Sequence, residues 1–298
     1  MNSSPSLTVL LTVYNGMPYL QEAVHSILGQ TMHDFTFLVL DNGSTDGSGQ
    51  WLETVTDPRL HLVRLPATIS RTEVLNMALS MVTTELVAII DADDIAAPRR
   101  LELQRDFMQQ NPGVDLVGSD IVTINAQGER TGSQQFPPEH EALCNRLPLY
   151  NQFAHAACMF RTAKAKAVGG YPTTSPYAQD LALWLAMIQA GSRVASLPQP
   201  LASIRVHPAQ ATKDPAQKKA RAEDTLRLAK ATLALPGLSR AARQAGLVRL
   251  AFAHFALHQN AQGRSILWQA VRLAPVRLFT NPILWERIML ERQRHTKK

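Results

Sequence analysis

The 298-residue sequence has only two cysteines, Cys144 and Cys158. They are too few and too irregularly spaced for a disulfide framework or a zinc site, which predicts packed thiols in a reducing compartment. No basic leader precedes the first apolar run, and the longest later one, Leu181 to Ile188, falls far short of the roughly 20 residues that span a bilayer. The expectation is a cytoplasmic protein with no export signal and no transmembrane helix. Signatures for phosphate and metal are missing too. No G-x-G-x-x-G follows an apolar run, and no G-x-x-x-x-G-K-[ST] occurs. Asp41 to Gly47 fails as a calcium loop, because Gly43 and Thr45 stand at ligand positions and Leu52 stands where glutamate is required. His254 and His258 lack the glutamate of H-E-x-x-H, which argues against zinc.

What is present is the composition of a globular chain, 45% apolar and 18% charged, long enough for one or two domains with a real core. The net charge of +6 is unevenly distributed: residues 1–210 hold 13 Lys+Arg against 19 Asp+Glu, and residues 211–298 hold 17 against 5. An acidic body therefore carries a basic tail. Over the first 125 residues short apolar runs at Leu7–Val13, Phe35–Leu40, Leu60–Leu65 and Leu86–Ile90 alternate with helical patterns at Tyr19–Leu28, Gly47–Thr56 and Thr72–Met81. That alternation predicts parallel strands joined by crossover helices, and the lack of polar alternation within the runs predicts strands covered on both faces. Pro98 is placed to open a helix through Gln110, strands are expected at Val114–Val117 and Ile121–Ile124, a turn at Asn125–Gly128, and a helix at Asp180–Ala190. After Pro208 the composition turns to Ala, Leu, Arg and Gln with helical spacing, including an Ile266, Leu267, Ala270, Val271, Ala274 stripe closed by Pro275. No second copy at a fixed period supports a tetratricopeptide array.

In a doubly wound sheet, ligands sit beyond the carboxyl ends of the strands. Three polar segments occupy such places: Thr12 to Gly16, Asp41 to Gly47, and Asp91-Ala92-Asp93-Asp94. In the second, Ser44, Thr45 or Asp46 is expected to cap the next helix. In the third, three carboxylates in four residues repel one another unless a cation lies between them, and oxygen donors suit Mg2+ or Mn2+ with substrate phosphates completing the shell. For an isolated D-x-D a solvated acidic turn is the simpler account, and it takes context to reverse that order.

Val13-Tyr14-Asn15, Ser26 to Thr31, Val39 to Asp46 and Ile90 to Asp94, in this order and spacing, resemble the family-2 inverting glycosyltransferases of the GT-A fold. Leu75-Asn76, Pro98 with Leu101 and Gln104, Val117 to Ser119, Gln179-Asp180 with Leu183-Trp184, and Ile204 to His207 extend the likeness across about residues 5–210. The resemblance implies an α/β, Rossmann-like, mostly parallel central sheet flanked by helices, with an α-helical C-terminal extension. Residues 1–210 would be the catalytic domain, with a nucleotide-binding half at about 1–125 and an acceptor half at about 115–210, and 211–298 a basic helical region. It further implies that Asp41 accepts from the N3–H of a base, most often uracil, and that Thr12, Tyr14 and Asn15 line the base and ribose pocket. Asp91, Ala92, Asn76 and Arg71 belong to the nucleotide-sugar set, Asp93 holds Mg2+ or Mn2+ on the diphosphate, and Asp180 is the catalytic base. Arg205 and His207 fall near the diphosphate, with His207 on metal or phosphate or in a structural pair. Arg71 either reaches the nucleotide or caps a loop; Asp94 and His155 border the diphosphate or acceptor, or His155 is a satisfied buried histidine. Asp180 also stands where a helix N-cap would. The chain departs from the family at Asn42 and Gln179, where Asp and Glu are usual.

The implied partners are a nucleotide-sugar donor and a saccharide or lipid-linked acceptor, with surface polysaccharide as the product class. Two other readings compete. A nucleotidyltransferase needs a Gly-rich, basic N-terminal loop, which Thr12 to Gly16 is not, and a basic nucleic-acid module makes no use of Asp91, Asp93 and Asp180. No nucleic-acid partner is therefore expected. In the tail, arginines mix with apolar residues, as in Trp268 to Phe279 and Ile283 to Leu290. This is the make-up of a segment drawn to anionic lipid at the inner face of the cytoplasmic membrane, and equally of a helical cap with a solvated basic face.

Overall fold

The computed structural model describes residues 6–208 and 217–273. The chain divides into two compact units, Met1–Glu139 with Phe153–Gln210 and His140–Gln152 with Ala211–Lys298. Segment 140–152, which the sequence reading kept with the catalytic body, thus groups with the C-terminal helices.

In the first unit β1 (Leu7–Val13), β2 (Thr36–Asp41), β3 (Leu60–Arg64) and β4 (Leu86–Asp91) run parallel in the order β3-β2-β1-β4. The crossovers carry α1 (Leu20–Leu28), α2 (Ser48–Glu53) and α3 (Arg71–Met81). β1, β2 and β4 are buried almost throughout, which is why their sequences do not alternate, whereas edge strand β3 is half exposed. In α1 the buried residues Leu20, Ala23, Val24 and Ile27 recur at helical spacing and close over the sheet. Strand order reverses at β1, so a crevice opens between the carboxyl ends of β1 and β4.

Beyond β4 the sheet becomes mixed. β5 (Ile95–Ala96), β6 (Leu116–Ile124), β7 (Arg130–Gln134), β8 (Met159–Arg161) and β9 (Val194–Arg205) extend it to nine strands, with β8 antiparallel to β4 and β6, and β9 parallel to β6 but antiparallel to β5. The two short strands expected around residues 114–124 are one, β6, whose register with β9 shifts at Asp120. There it faces Pro200, which has no N–H to give the ladder, and Pro198 and Pro200 also hid β9 from a reading based on continuous runs. Pro98 lies ahead of α4 (Arg100–Gln110) rather than in its first turn. α6 (Thr162–Ala167) and α7 (Gln179–Gln189) complete the unit. Cys158, like Cys144 of the second unit, is a buried free thiol.

The second unit contains α5 (His140–Arg146), α8 (Lys218–Leu233), α9 (Arg240–Ala256) and α10 (Asn260–Leu273). Ser239 caps α9 by accepting from Ala242 N–H, and α9 packs on both α8 and α10. Of the expected α10 stripe, Ala270 is buried and Ile266, Leu267 and Val271 are half-buried. Ala274, Pro275 and the Ile283–Leu290 run lie outside the described residues. Among the described residues no helix is long and apolar enough to cross a membrane.

Candidate active site

Strand register sets the first two carboxylates. Val13 of β1 lies opposite Asp41, and Thr12 opposite Asp91. The two aspartates therefore flank β1 on either side, two strand spacings or roughly 10 Å apart. Asp41 is fully buried: Oδ1 accepts from Ser44 N–H at 2.9 Å and Oδ2 lies 3.3 Å from Arg64 Nε. Gly49 backs this carboxylate so closely that a Cβ there would sit 2.3 Å from Oδ2. Gly49→Ala is thus expected to push the buried Asp41 side chain out of place and lower the thermal midpoint by several degrees, which calorimetric unfolding measures.

The loops after β1 and β2 are stitched together. Ser44 Oγ accepts from Asn15 N–H at 2.9 Å, Ser48 Oγ from Gly16 N–H at 3.0 Å, and Asn15 Oδ1 from Thr45 N–H at 2.8 Å. Asn15 adopts a positive φ of 52°, a conformation its short amide tolerates. The cap expected of Ser44, Thr45 or Asp46 takes another form: α2 begins at Ser48 after Gly47, and Asp46 serves as a brace, its carboxylate accepting from Ser48 N–H and Met17 N–H. Tyr14 is left 54% exposed at the loop surface, while Thr12 is half-buried at the crevice floor. Asn42, where the family usually has Asp, uses its amide to bracket the backbone of Ile69 with bonds of 2.8 and 3.0 Å. A carboxylate there could accept from Ile69 N–H but could not donate to its carbonyl.

The Asn42 clamp leads into α3, which begins with a capping box between Ser70 and Glu73. Arg71 in the first turn reaches Asp91, Nη2 to Oδ1 at 3.1 Å. Asp91 Oδ1 also lies 3.2 Å from His155 Nδ1, and His155 Nε2 lies 3.0 Å from the Tyr171 hydroxyl. With its amide oriented to satisfy both ends, Gln179 accepts from Arg71 Nε at 3.1 Å and donates to Pro176 O. Arg71 therefore joins the end of β4 to the start of α7. That helix begins at Gln179 with Ala178 at the cap position, so Asp180 is a first-turn residue rather than the N-cap. Burial opposes ionisation of Asp91, but Arg71 and then His155 outweigh it and hold the carboxyl well below its usual range. Arg71 is raised in turn, first by Asp91 and, against burial, by Asp180 and Asp93. Asn76 spends both ends of its amide on Tyr171, donating to its carbonyl and accepting from its N–H at 2.9 and 2.7 Å. It shapes the crevice by placing Tyr171.

The short β5–β9 pairing brings the end of β9 beside the acidic loop. His207 Nε2 lies 3.1 Å from Asp93 Oδ2, with the His207 ring 4.8 Å from that of Tyr19. Arg205, 1% exposed, gives its donors to the carbonyls of Asp93, Asn125 and Ala126 and to Glu22, and its guanidinium lies over Tyr19. It acts from behind the loop as a brace. Asp94 points inward, accepting from Arg205 N–H at 2.8 Å; burial, then Asp93 and Asp91, push its carboxyl well above the usual range. Ala92 packs against the apolar core. Asp93, with 29% of its side chain exposed against 26% for Asp91, differs from Asp91 in facing His207 rather than being held between Arg71 and His155.

The donor chemistry of the Asp93–His207 pair, a carboxylate and an imidazole, suits a divalent cation. Among the described residues no group of three His, Cys, Asp or Glu side chains forms a metal cage. Mg2+ and Mn2+ often take one or two protein ligands and complete their shell with water and phosphate oxygens. Asp93 and His207, hydrogen-bonded at 3.1 Å, supply one oxygen and one nitrogen donor that such a cation could share.

The sequence reading did not pick out Tyr171, Glu22, Tyr19 or the Ser44–Ser48 stitching. One signal was available: Gly169 and Gly170 both adopt positive φ, 86° and 74°, and a Cβ on Gly170 would lie 2.5 Å from Asn76 Oδ1, so the glycine pair marks the turn that delivers Tyr171.

The sequence profile of the family described as Glycosyl transferase family 2 matches residues 8–168. Amylovoran biosynthesis glycosyltransferase AmsE of Erwinia amylovora is 28% identical over 202 residues, 66% of this chain and 75% of that protein. O-antigen biosynthesis glycosyltransferase WbnJ of Escherichia coli is 28% identical over 211 residues, 67% of this chain and 80% of that protein. Among solved structures, S. aureus TarS 1–349 in complex with UDP-GlcNAc superimposes with a TM-score of 0.66 at 18% identity, covering 95% of this chain and 87% of that one.

Proposed function

The chain belongs to glycosyl transferase family 2 and has the GT-A fold, and from that premise we propose a metal-dependent, inverting transfer of a sugar from a UDP-sugar to an acceptor hydroxyl. The observation that carries this reading is that Arg71 bridges Asp91 at the carboxyl end of β4 and Gln179, the neighbour of Asp180, at the start of α7. That link supports assigning the donor contact to the end of β4 and the base to a different element, α7.

Asp41 and the stitched loops after β1 and β2 are the proposed floor for the base and ribose. Asp93 and His207 are the proposed holders of Mg2+ or Mn2+, which supplies Lewis-acid stabilisation to the departing diphosphate. Asp91, held ionised by Arg71, offers a charged oxygen to accept from donor hydroxyls. Asp180 takes the proton from the acceptor hydroxyl as that oxygen attacks the anomeric carbon, so transfer inverts configuration in one displacement with no covalent enzyme intermediate. The deciding experiment is calorimetric titration with UDP in the presence and absence of Mn2+. Metal-dependent binding is expected, and binding that ignores Mn2+ contradicts the reading.

A role in surface polysaccharide synthesis, with a saccharide or lipid-linked acceptor, is supported by WbnJ, a relative named for O-antigen biosynthesis. The proposed location is cytoplasmic, peripheral to the inner face of the membrane. Its support is the basic tail and, on α10, Trp268, 64% exposed and four residues from each of the exposed Arg264 and Arg272. An indole flanked by arginines suits an anionic lipid interface. Full-length protein is expected to co-float with phosphatidylglycerol vesicles several-fold better than Trp268→Ala, and neither with phosphatidylcholine. Equal flotation of both proteins on the anionic vesicles rejects lipid contact through α10. No nucleic-acid partner is proposed.

A further inference from the structure

The chain Arg71–Asp91–His155–Tyr171 has a feature that transfer chemistry does not require. Its far half is buried: His155 is 7% exposed and Tyr171 1%. The His155 ring is enclosed by Tyr171, near perpendicular at 5.8 Å between centroids, and by Trp184 at 6.3 Å. Trp184 in turn packs against Phe153 and Phe160. Both ring nitrogens are engaged and the aromatic wall limits ring rotation, so the hydrogen-bond direction along the chain can be worked out.

An ionised carboxylate only accepts, so Nδ1 must be the donor towards Asp91. A neutral imidazole then presents Nε2 as an acceptor, and the Tyr171 hydroxyl donates to it. In a doubly protonated ring Nε2 would also donate, and the hydroxyl proton of Tyr171 would need another acceptor; among the described residues its hydrogen bond is with His155. Burial also raises the Tyr171 hydroxyl well above its ordinary range, which keeps the proton on oxygen. Tyr171 is itself held from behind by the two backbone bonds to Asn76.

We propose that Tyr171 and His155 form a positioning pair: the tyrosine hydroxyl occupies Nε2 and fixes the histidine ring in place, and the Nδ1–H so held, together with Arg71, aims the Asp91 carboxylate at the sugar of the donor. Neither side chain is a catalytic residue. The inference rests on the reading of Asp91 as a donor contact, and it adds a determinant of sugar recognition located behind the crevice rather than in it. Arg71 holds Asp91 from the exposed side and His155 from the buried side, so the carboxylate has little freedom to rotate. Losing one anchor is then expected to loosen sugar recognition while leaving the uracil and diphosphate contacts in place.

Two measurements separate failure of this inference from failure of the donor reading. The first is the 15N spectrum of ring-labelled histidine. Wild-type protein is expected to give one histidine in the neutral Nδ1–H form, whose Nε2 resonance shifts when Tyr171→Phe removes the hydroxyl that donates to it. A wild-type His155 of any other form, or one unmoved by loss of the hydroxyl, overturns the pair whatever the substrate is. The second is affinity for UDP compared with UDP-glucose, UDP-galactose and UDP-GlcNAc. Tyr171→Phe and His155→Gln are expected to keep UDP affinity within twofold but lower affinity for the preferred UDP-sugar about tenfold. His155→Asn, whose amide nitrogen can stand in for Nδ1, is expected to recover most of that loss. A purely structural role predicts that UDP and UDP-sugar affinities fall together with the thermal midpoint and that Asn does no better than Gln, and that result rejects the proposal.

Discussion

Replacing Asp93 with alanine is expected to raise the Kd for UDP in Mn2+ about 100-fold, equivalent to about 2.7 kcal/mol, while leaving the metal-independent component unchanged. The size of the effect follows from how the acidic motif is divided. Asp91 is committed to Arg71 and His155, and Asp94 is turned inward onto Arg205 N–H. Neither can replace the carboxylate of Asp93, which faces His207. The fold should survive, because the link from this position to Arg205 runs through the Asp93 backbone carbonyl, which alanine keeps. Isothermal titration at fixed Mn2+ reads the change. Unaltered metal-dependent binding in the variant removes Asp93 from the cation site.

Asp180→Asn is expected to behave in the opposite way, keeping nucleotide affinity within about threefold and lowering transfer about 1,000-fold, within the range by which a positioned general base accelerates a reaction. The amide retains size and shape but cannot take a proton from an acceptor hydroxyl. Asp180 stands in the first turn of α7, where helix N-terminal geometry accommodates either side chain. Its charge does act on Arg71, but behind that of Asp91, so its loss should disturb the donor side only slightly. UDP release, measured across panels of UDP-sugars and saccharide acceptors, tests kcat, and calorimetry tests affinity. Loss of donor binding equal to the loss of transfer contradicts a base role.

The parallel half of the sheet was legible in the sequence because strands covered on both faces leave unbroken apolar runs. β1 and β4 begin where they were expected, and β1 also ends there. Beyond β4 only β6 was anticipated, in two pieces, and the other strands were not legible for the complementary reason. β8 is three residues long, β5 two, and β9 carries Pro198 and Pro200 at its exposed middle, so none presents a run that periodicity can detect. The placement of 140–152 with the C-terminal helices was equally hidden, since seven helical residues carry no sign of which body they will join. Helix starts shifted by one to two residues where caps turned out to be backbone or brace interactions, as at Asp46 and Ala178.

The sequence by itself determined the chemistry available: which carboxylates follow which strands, that no glycine-rich phosphate loop is present, and that the positive charge gathers after residue 210. Those are properties of residue type and order, and local physics reads them directly. Tertiary structure alone decided what each carboxylate is for. Asp91, Asp93 and Asp94 are chemically the same and nearly adjacent, yet Arg71 and His155 hold the first, His207 faces the second, and Arg205 turns the third inward. Arg71 lies 20 positions before Asp91, and Arg205 lies 111 after Asp94. A side chain's charge state and direction depend on neighbours that only the folded sheet brings within hydrogen-bond distance.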